Sequence, residues 1–348
     1  MIAWTASCEI IRIVWRSSLE ALKLRLHKGE VPPFHCGSRF RDVPRAPKPE
    51  RGVLSLFRRP ANGSLLLLLA LTGVPSAAEL PAAVVIVPVA NMYSAANEDS
   101  DVVSQAIYGS NVSVTDERPG WTKVQTNDQY SGWMQSQETR RLGVAESGYA
   151  TSGHVAQVTS LLANLYRETD VTVHRPLLAV PFETRLDVIA QGQGDDAGWV
   201  QVRLPDLRSA WIQAGDVALE PRKLTINESI ALGRRFLGLT YTWGGRSSLG
   251  YDCSGFTQML VRSRGITMPR DADLQAAWQG AVAVDRKKLR AGDLLFFGSS
   301  PDHITHTGMF IGHGRFIHDT TYGHPGVQIS RLKDQPWSRL LVACRRVK

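Results

Sequence analysis

At 348 residues, with 43% apolar side chains, this chain has the length and composition of two or three globular domains. Its net charge of +8 does not point to a nucleic-acid partner, because the charge is unevenly spread. Residues 1–78 hold 12 Lys and Arg against 5 Asp and Glu, while the remainder holds 28 against 27, so the body of the protein offers no basic surface for a polyanion.

Residues 1–57 do not read as a domain and include the Pro-rich basic run 43–51. Arg58-Arg59 then precedes the apolar run Ser64–Leu71, and Gly73-Val74-Pro75-Ser76-Ala77-Ala78 follows. A positive flank, a short apolar core and small residues before a cut make a secretory signal, with cleavage expected after Ala78. The apolar core is too short to span a bilayer. No cysteine stands directly after the cut, so no membrane anchor is expected after cleavage, and the mature protein is expected to be periplasmic or extracellular. A signal that begins so far inside the chain suggests an internal start at Val53 or Leu54, with residues 1–52 a translation artefact. Of Cys8, Cys36, Cys253 and Cys344, an exported form keeps the last two. Both are expected to stay reduced, Cys344 as a small buried residue of a final strand. No Cys/His spacing resembles a zinc site.

Residues 80–145 and 154–220 each read as a small all-β domain, with short β-rich runs between Gly, Asn and Asp turns. In the first the runs are 84–89, 102–107, 112–114, 121–124 and 132–134. A repeat links the two domains. Trp121-x-x-Val124 precedes Trp133-Met134-Gln135, and Trp199-x-x-Val202 precedes Trp211-Ile212-Gln213, with 12 residues between the tryptophans each time. This pattern resembles bacterial SH3 domains. The stretch 146–175, including 155–166, reads as linker with some helix.

From Leu224 onward the pattern changes. Thr225-Ile226-Asn227-Glu228 is a capping box opening a helix that ends at Gly238. Tyr241-Thr242-Trp243-Gly244-Gly245 leads to Tyr251-Asp252-Cys253-Ser254-Gly255-Phe256. Helical spacing from Ser254 to Arg264 sets Cys253 at a helix start, where the helix dipole favours a thiolate and makes the sulfur nucleophilic. Residues 271–280 read as a short helix or loop, 292–297 as a buried strand, and 339–345 as a last strand. Between them, 306–318 reads as two strands joined by a Gly-His-Gly turn centred on His313. That turn sets His318 opposite Gly308 and diagonal to His306, on one face. His306 is the expected base for Cys253, and His318 its orienting partner.

These motifs, with Met268-Pro269-Arg270, the run 292–297 and His306-x-Gly-x-Phe-Ile-Gly ending in Phe316-Ile317-His318, resemble the NlpC/P60 cysteine peptidases from about Leu224 to the C-terminus. The resemblance implies an α+β, papain-like catalytic domain over 224–348, preceded by two small SH3-like barrels. It implies amide hydrolysis through an acyl-enzyme at Cys253, with no metal or cofactor. Tandem SH3-like domains ahead of such a domain are similar to γ-D-glutamyl-L-diamino acid endopeptidases, which act on peptidoglycan peptides with a free N-terminal L-Ala. By that resemblance Tyr241, Asp252, Ser254 and Tyr130 bind substrate, with Tyr130 on a wall supplied by the first barrel. The alternative roles are a helix N-cap for Asp252 and core packing for Tyr241 and Tyr130. Arg270-Asp271 either shapes the cleft or pairs on the surface. A wall-binding module with secondary hydrolysis, and acyl transfer on the same skeleton, are the alternatives.

Overall fold

The computed structural model describes residues 82–143 and 145–348. The expected signal and N-terminal extension, residues 1–78, lie outside the described residues, as do Cys8 and Cys36.

The first barrel comprises β1 (Ala82–Val85), β2 (Val89–Tyr93), β3 (Val102–Ile107), β4 (Asn111–Arg118), β5 (Trp121–Gln125), β6 (Ser131–Gln135) and β7 (Thr139–Arg141). The run 84–89 is expected as one strand, and the structure breaks it before Pro88. That residue has no N–H for a ladder, and its carbonyl instead accepts from Tyr108 N. The second barrel comprises β8 (Val155–Val158), β9 (Leu162–Tyr166), β10 (Leu178–Pro181), β11 (Arg185–Gln191), β12 (Trp199–Arg203), β13 (Ser209–Gln213) and β14 (Val217–Leu219). Strand order is β3-β2-β6-β5-β4-β1-β7 in one sheet and β10-β9-β13-β12-β11-β8-β14 in the other, the same order when each strand is advanced by seven. Tyr93 meets Trp121 edge-on at 5.5 Å and 89°, and Tyr166 meets Trp199 at 5.4 Å and 89°. The tryptophan repeat is therefore a structural duplication.

The helix expected within 155–166 is absent. Those residues form β8 and β9, in which alternate side chains turn into the barrel core. A short apolar run does not reveal its period until neighbouring strands supply the other half of the core.

The remaining elements are α1 (Ile226–Arg235), β15 (Arg246–Ser247), β16 (Gly250–Tyr251), α2 (Cys253–Arg262), α3 (Ala272–Ala277), β17 (Ala281–Ala283), β18 (Leu294–Ser300), β19 (His303–Gly312), β20 (Arg315–Thr320), β21 (Gly326–Arg331), α4 (Trp337–Leu340) and β22 (Leu341–Val347). Thr225 Oγ1 accepts from Glu228 N, and the Glu228 side chain accepts from Thr225 N, closing the capping box on α1. The expected last strand begins two residues late because Trp337–Leu340 form a helical turn before it.

Six strands form an antiparallel sheet in the order β17-β22-β18-β19-β20-β21. One core joins α1 and α2 to this sheet through Phe236, Phe256, Met259, Leu260, Met309 and Ile317. A second cluster gathers Leu295, Phe297, Phe316, Trp337 and Cys344. Cys253 and Cys344 are both reduced and buried.

The three modules belong to one compact unit and share side chains. Phe182 of the second barrel enters the core around α2, and Tyr108 of the first barrel enters the core of the second. Val102 of β3 lies so close to Gly244 that a Cβ there would come within 2.8 Å of its carbonyl oxygen, and Gly244 also has φ +72°. Only glycine meets both demands without strain.

Candidate active site

Cys253 is the first residue of α2, one residue earlier than the sequence periodicity predicts. Asp252 is its N-cap. Its Oδ1 accepts from Gly255 N at 2.7 Å, satisfying one of the N–H groups that a helix start leaves over. The aligned peptide dipoles of the ten-residue helix favour negative charge at the Cys253 end. The helix packs against β19 and β20, the strands that carry the two histidines.

The hairpin turns through Gly312-His313-Gly314, all at positive φ, as its sequence predicts. Gly308 and His318 lie opposite one another, since a Cβ on Gly308 would come within 3.0 Å of His318 Cβ. This register brings His306 Nε2 to 2.8 Å from His318 Nδ1. His318 is fully buried, and its Nε2 lies 3.0 Å from Ser330 Oγ on β21. The His306 ring stacks at a tilt on Trp337, with centroids 5.1 Å apart, and lies 5.7 Å from Phe297. Burial pushes His306 down to about 3. Burial, and then His306 itself, hold His318 well below the ordinary histidine value.

These contacts set the proton order that a doubly protonated His306 would require. If His306 is to carry a proton on both nitrogens during turnover, His318 Nδ1 must accept from His306 Nε2. His318 then keeps its proton on Nε2 and donates it to Ser330 Oγ. Such a chain leaves His306 Nδ1 as the ring nitrogen that exchanges protons with a thiol. Burial disfavours an isolated imidazolium, so a charged ring at this place needs a negative partner. Ser330 and Trp337 are functional neighbours that sequence reasoning missed. Nothing near His318 in the chain marks them, and only the pairing of β20 with β21 and the return of α4 bring them in.

Asp252 is more committed than the sequence suggests. Arg270 is 1% exposed and grips it with Nη1 at 3.0 Å from Oδ1 and Nη2 at 2.6 Å from Oδ2. The same guanidinium donates to Ser254 Oγ at 2.7 Å and reaches Ser104 of the first barrel at 3.3 Å. The alternative of a surface pair for Arg270 is thereby removed. A buried carboxylate and guanidinium in bidentate contact neutralise each other, so Asp252 and Ser254 act here as a braced helix start. Tyr241 is half-buried and bridges to Tyr251, one residue before Asp252.

Tyr130 lies on the β5–β6 turn of the first barrel, and its hydroxyl donates to Asp271 Oδ2 at 3.0 Å. Burial raises the Asp271 carboxyl, against the pull of Arg270 and Tyr130. A half-buried carboxylate and a phenol, one from each module, thus meet beside the braced nucleophile helix. The sequence left Asp271 between two roles, and the signal for it is adjacency to Arg270.

A thiol at a helix tip, set against a sheet that carries a histidine pair, is the layout of a papain-like cysteine peptidase. The NlpC/P60 family profile matches residues 238–346, and that of the bacterial dipeptidyl-peptidase Sh3 domain matches residues 92–138. Over 231 residues the chain is 34% identical to a γ-D-glutamyl-L-lysine dipeptidyl-peptidase of Bacillus cereus, covering 62% of this chain and 66% of that one. Over 258 residues it is 30% identical to the protein of the same name from Bacillus subtilis, covering 71% and 82%. The crystal structure of an NlpC/P60 family protein from Bacillus cereus superposes with a TM-score of 0.65 at 27% identity, over 76% of this chain and 99% of that one. The chain belongs to the NlpC/P60 family of peptidases and carries a bacterial SH3 domain ahead of the peptidase fold.

Proposed function

We propose that the protein hydrolyses the γ-D-glutamyl–L-diamino acid bond of peptidoglycan-derived peptides that begin with a free L-Ala. Cys253 attacks the γ-carbonyl of D-Glu, and His306 takes the thiol proton and returns it to the leaving amine of the diamino acid. Water, deprotonated by His306, then cleaves the thioester and regenerates the thiol. The backbone N–H of Cys253, at the positive end of α2, stabilises the tetrahedral oxyanion. His318, held by Ser330, keeps His306 in the useful tautomer.

The observation that carries the substrate reading is the Tyr130–Asp271 contact between barrel and catalytic module. A carboxylate beside a phenolic oxygen suits an N-terminal ammonium, and in this reading the pair forms the wall beyond the first substrate residue. Such a site recycles released peptides and rejects intact wall strands. The names of the Bacillus relatives support the same substrate class. The test is cleavage of L-Ala-γ-D-Glu-diamino acid peptides with the amine free and with it acetylated. Turnover of the free form alone is expected. Equal turnover of both, or of neither, would sink the reading.

Export through the signal at residues 58–78, to the periplasm or the exterior, accompanies this proposal. N-terminal sequencing of the exported protein is expected to begin just after Ala78. A mature protein that retains residues 1–52 would refute it. Among the described residues no helix is long and apolar enough to cross a membrane.

A further inference from the structure

The β5–β6 turn of the first barrel does more than present Tyr130. Two residues earlier, the Asp128 side chain is 3% exposed and reaches the back of the nucleophile helix. Its Oδ2 accepts from Gln258 Nε2 at 2.8 Å and lies 3.4 Å from Arg246 Nη2. Burial raises the Asp128 carboxyl, but Arg246, Thr126 and Gln258 outweigh it and hold it below the ordinary carboxylate value.

Gln258 lies on α2, five residues after Cys253, and is 2% exposed. An amide side chain has two donors and two acceptor sites, and here all four are used. Nε2 donates to Asp128 and to the Met268 carbonyl, each at 2.8 Å. Oε1 accepts from Arg246 Nε at 3.1 Å and from Arg262 Nη1 at 3.2 Å. Arg262 in turn forms a two-point pair with Glu183 of the second barrel, at 3.1 and 2.6 Å. The amide therefore ties the nucleophile helix to the first barrel, and its neighbour Arg262 on the same helix ties it to the second. The amide also ties the helix to Met268, three residues before Asp271.

The two jaws of the Tyr130–Asp271 wall thus have a common anchor. Asp128 fixes the turn that carries Tyr130, and Met268 fixes the loop that carries Asp271. We infer that Asp128 and Gln258 are positioning residues that hold this wall closed, so that barrel docking behind the nucleophile helix sets the demand for a free amine in front of it. This inference rests on the substrate reading above. Electrostatics gives the anchor its strength. Burial, and the nearby Arg262, bring Arg246 down to about 10, so the Asp128 charge is what makes its burial tolerable. Removing that charge while keeping the shape favours release of the turn and entry of water. The wall then opens without any change to Cys253, His306 or Asp271.

The experiment uses the full chain with Asp128→Asn and Asp128→Ala. Asp206→Asn, at the equivalent turn of the second barrel, is the control. Turnover of the free-amine and acetylated peptides is measured separately, together with amide exchange over residues 126–131. In Asp128→Ala the preference for the free amine is expected to narrow about tenfold, through a higher KM rather than a lower kcat, with faster exchange of the turn. The Asn variant, which keeps the Gln258 hydrogen bond, is expected to fall between wild type and Ala. The control is expected to match wild type. A preference within twofold of wild type in both variants, even with lower thermal stability, overturns the inference, because a merely structural role predicts that result. Should Asp128→Ala fail to fold, the Asn variant decides alone. Should the wild type cleave neither peptide, the hydrolase reading falls and the exchange arm decides. Faster exchange of the turn then supports the anchoring role, and unchanged protection overturns it.

Discussion

The two barrels share strand order, the tyrosine–tryptophan edge contact and even the geometry of one turn, yet the site uses that turn in only one of them. Thr126 N to Tyr130 O and Gln129 N to Thr126 O, with Gln129 at φ 64°, define the first turn. Leu204 N to Arg208 O and Leu207 N to Leu204 O, with Leu207 at φ 73°, define the second. Asp128 and Asp206 hold the same place in this turn, as do Tyr130 and Arg208. Asp206 pairs with Arg208 inside its own turn at 2.6 Å, while Asp128 and Tyr130 both reach into the peptidase module. The second barrel docks elsewhere, through Phe182, Glu183 and the Leu161 carbonyl, which accepts from Ser248 of the peptidase module. The duplicated scaffold is divided in its contacts, one copy reaching Asp271 and Gln258 and the other packing through Phe182 and Glu183. The side chains on a turn made the division, with no change of backbone.

The largest expected effect sets the floor for this comparison. Cys253→Ala should reduce turnover by about 10⁴-fold or more. Both barrel interfaces should survive, as judged by unchanged near-UV circular dichroism. If measurable hydrolysis remains, the nucleophile is misassigned and neither barrel's role has meaning. A bracing role for the second barrel is tested by Phe182→Ala, which empties a buried site and should cost about 3 kcal/mol or more in urea denaturation. Its effect on the free-amine preference should be small, and a large one would merge the roles of the two barrels. A shaping role for the first is tested by Tyr130→Phe against Arg208→Ala. Loss of a hydrogen bond to a charged group is worth about 1.5–3 kcal/mol, so the first should raise KM for the free-amine peptide by about 10-fold or more. The second should change it by less than about twofold, within the range of an exposed ion pair.

The smallest effect lies in the catalytic sheet. Asp319 is fully buried, and burial with the nearby Asp252 outweighs a hydrogen bond from the Thr320 backbone and raises it to about 8. A carboxyl raised in the folded state holds its proton while the unfolded chain has lost it. Stability therefore falls as pH rises from about 4 to 8. Asp319→Asn should stabilise the protein at pH 8 by about 1 kcal/mol or more, roughly 2–4 °C, and leave it unchanged at pH 4. Equal melting temperatures of wild type and variant at pH 8 would show the carboxyl to be solvated. The histidine pair works in the opposite sense. Both rings are depressed, so their contribution is present above about 6.5 and is lost as pH falls toward 3.

Local pattern carried much of this protein. The capping box at Thr225, the glycine turn around His313 and the helix after Asp252 are each decided within a few residues, by hydrogen bonds and φ angles that neighbours impose. The same-face placement of His306 and His318 follows from strand alternation once the turn is known. The tryptophan spacing announced the duplication because a repeated unit repeats its core. Residues 155–166 failed for the complementary reason: a four-residue strand has no period of its own until its partners arrive.

What the sequence determined by itself was the chemistry: a cysteine at a helix tip, two histidines on one face of a hairpin, and two copies of a small barrel. Only the tertiary structure decided how each of these buried polar groups is paired. It bound Asp252 to Arg270, gave Ser330 to His318, and tied Gln258 of the peptidase module to Asp128 of the first barrel. Those choices depend on contacts between residues up to 166 positions apart, as from Ser104 to Arg270. Charge pairing and burial act through space, and the order of residues along the chain does not encode which distant partner a buried polar group will find.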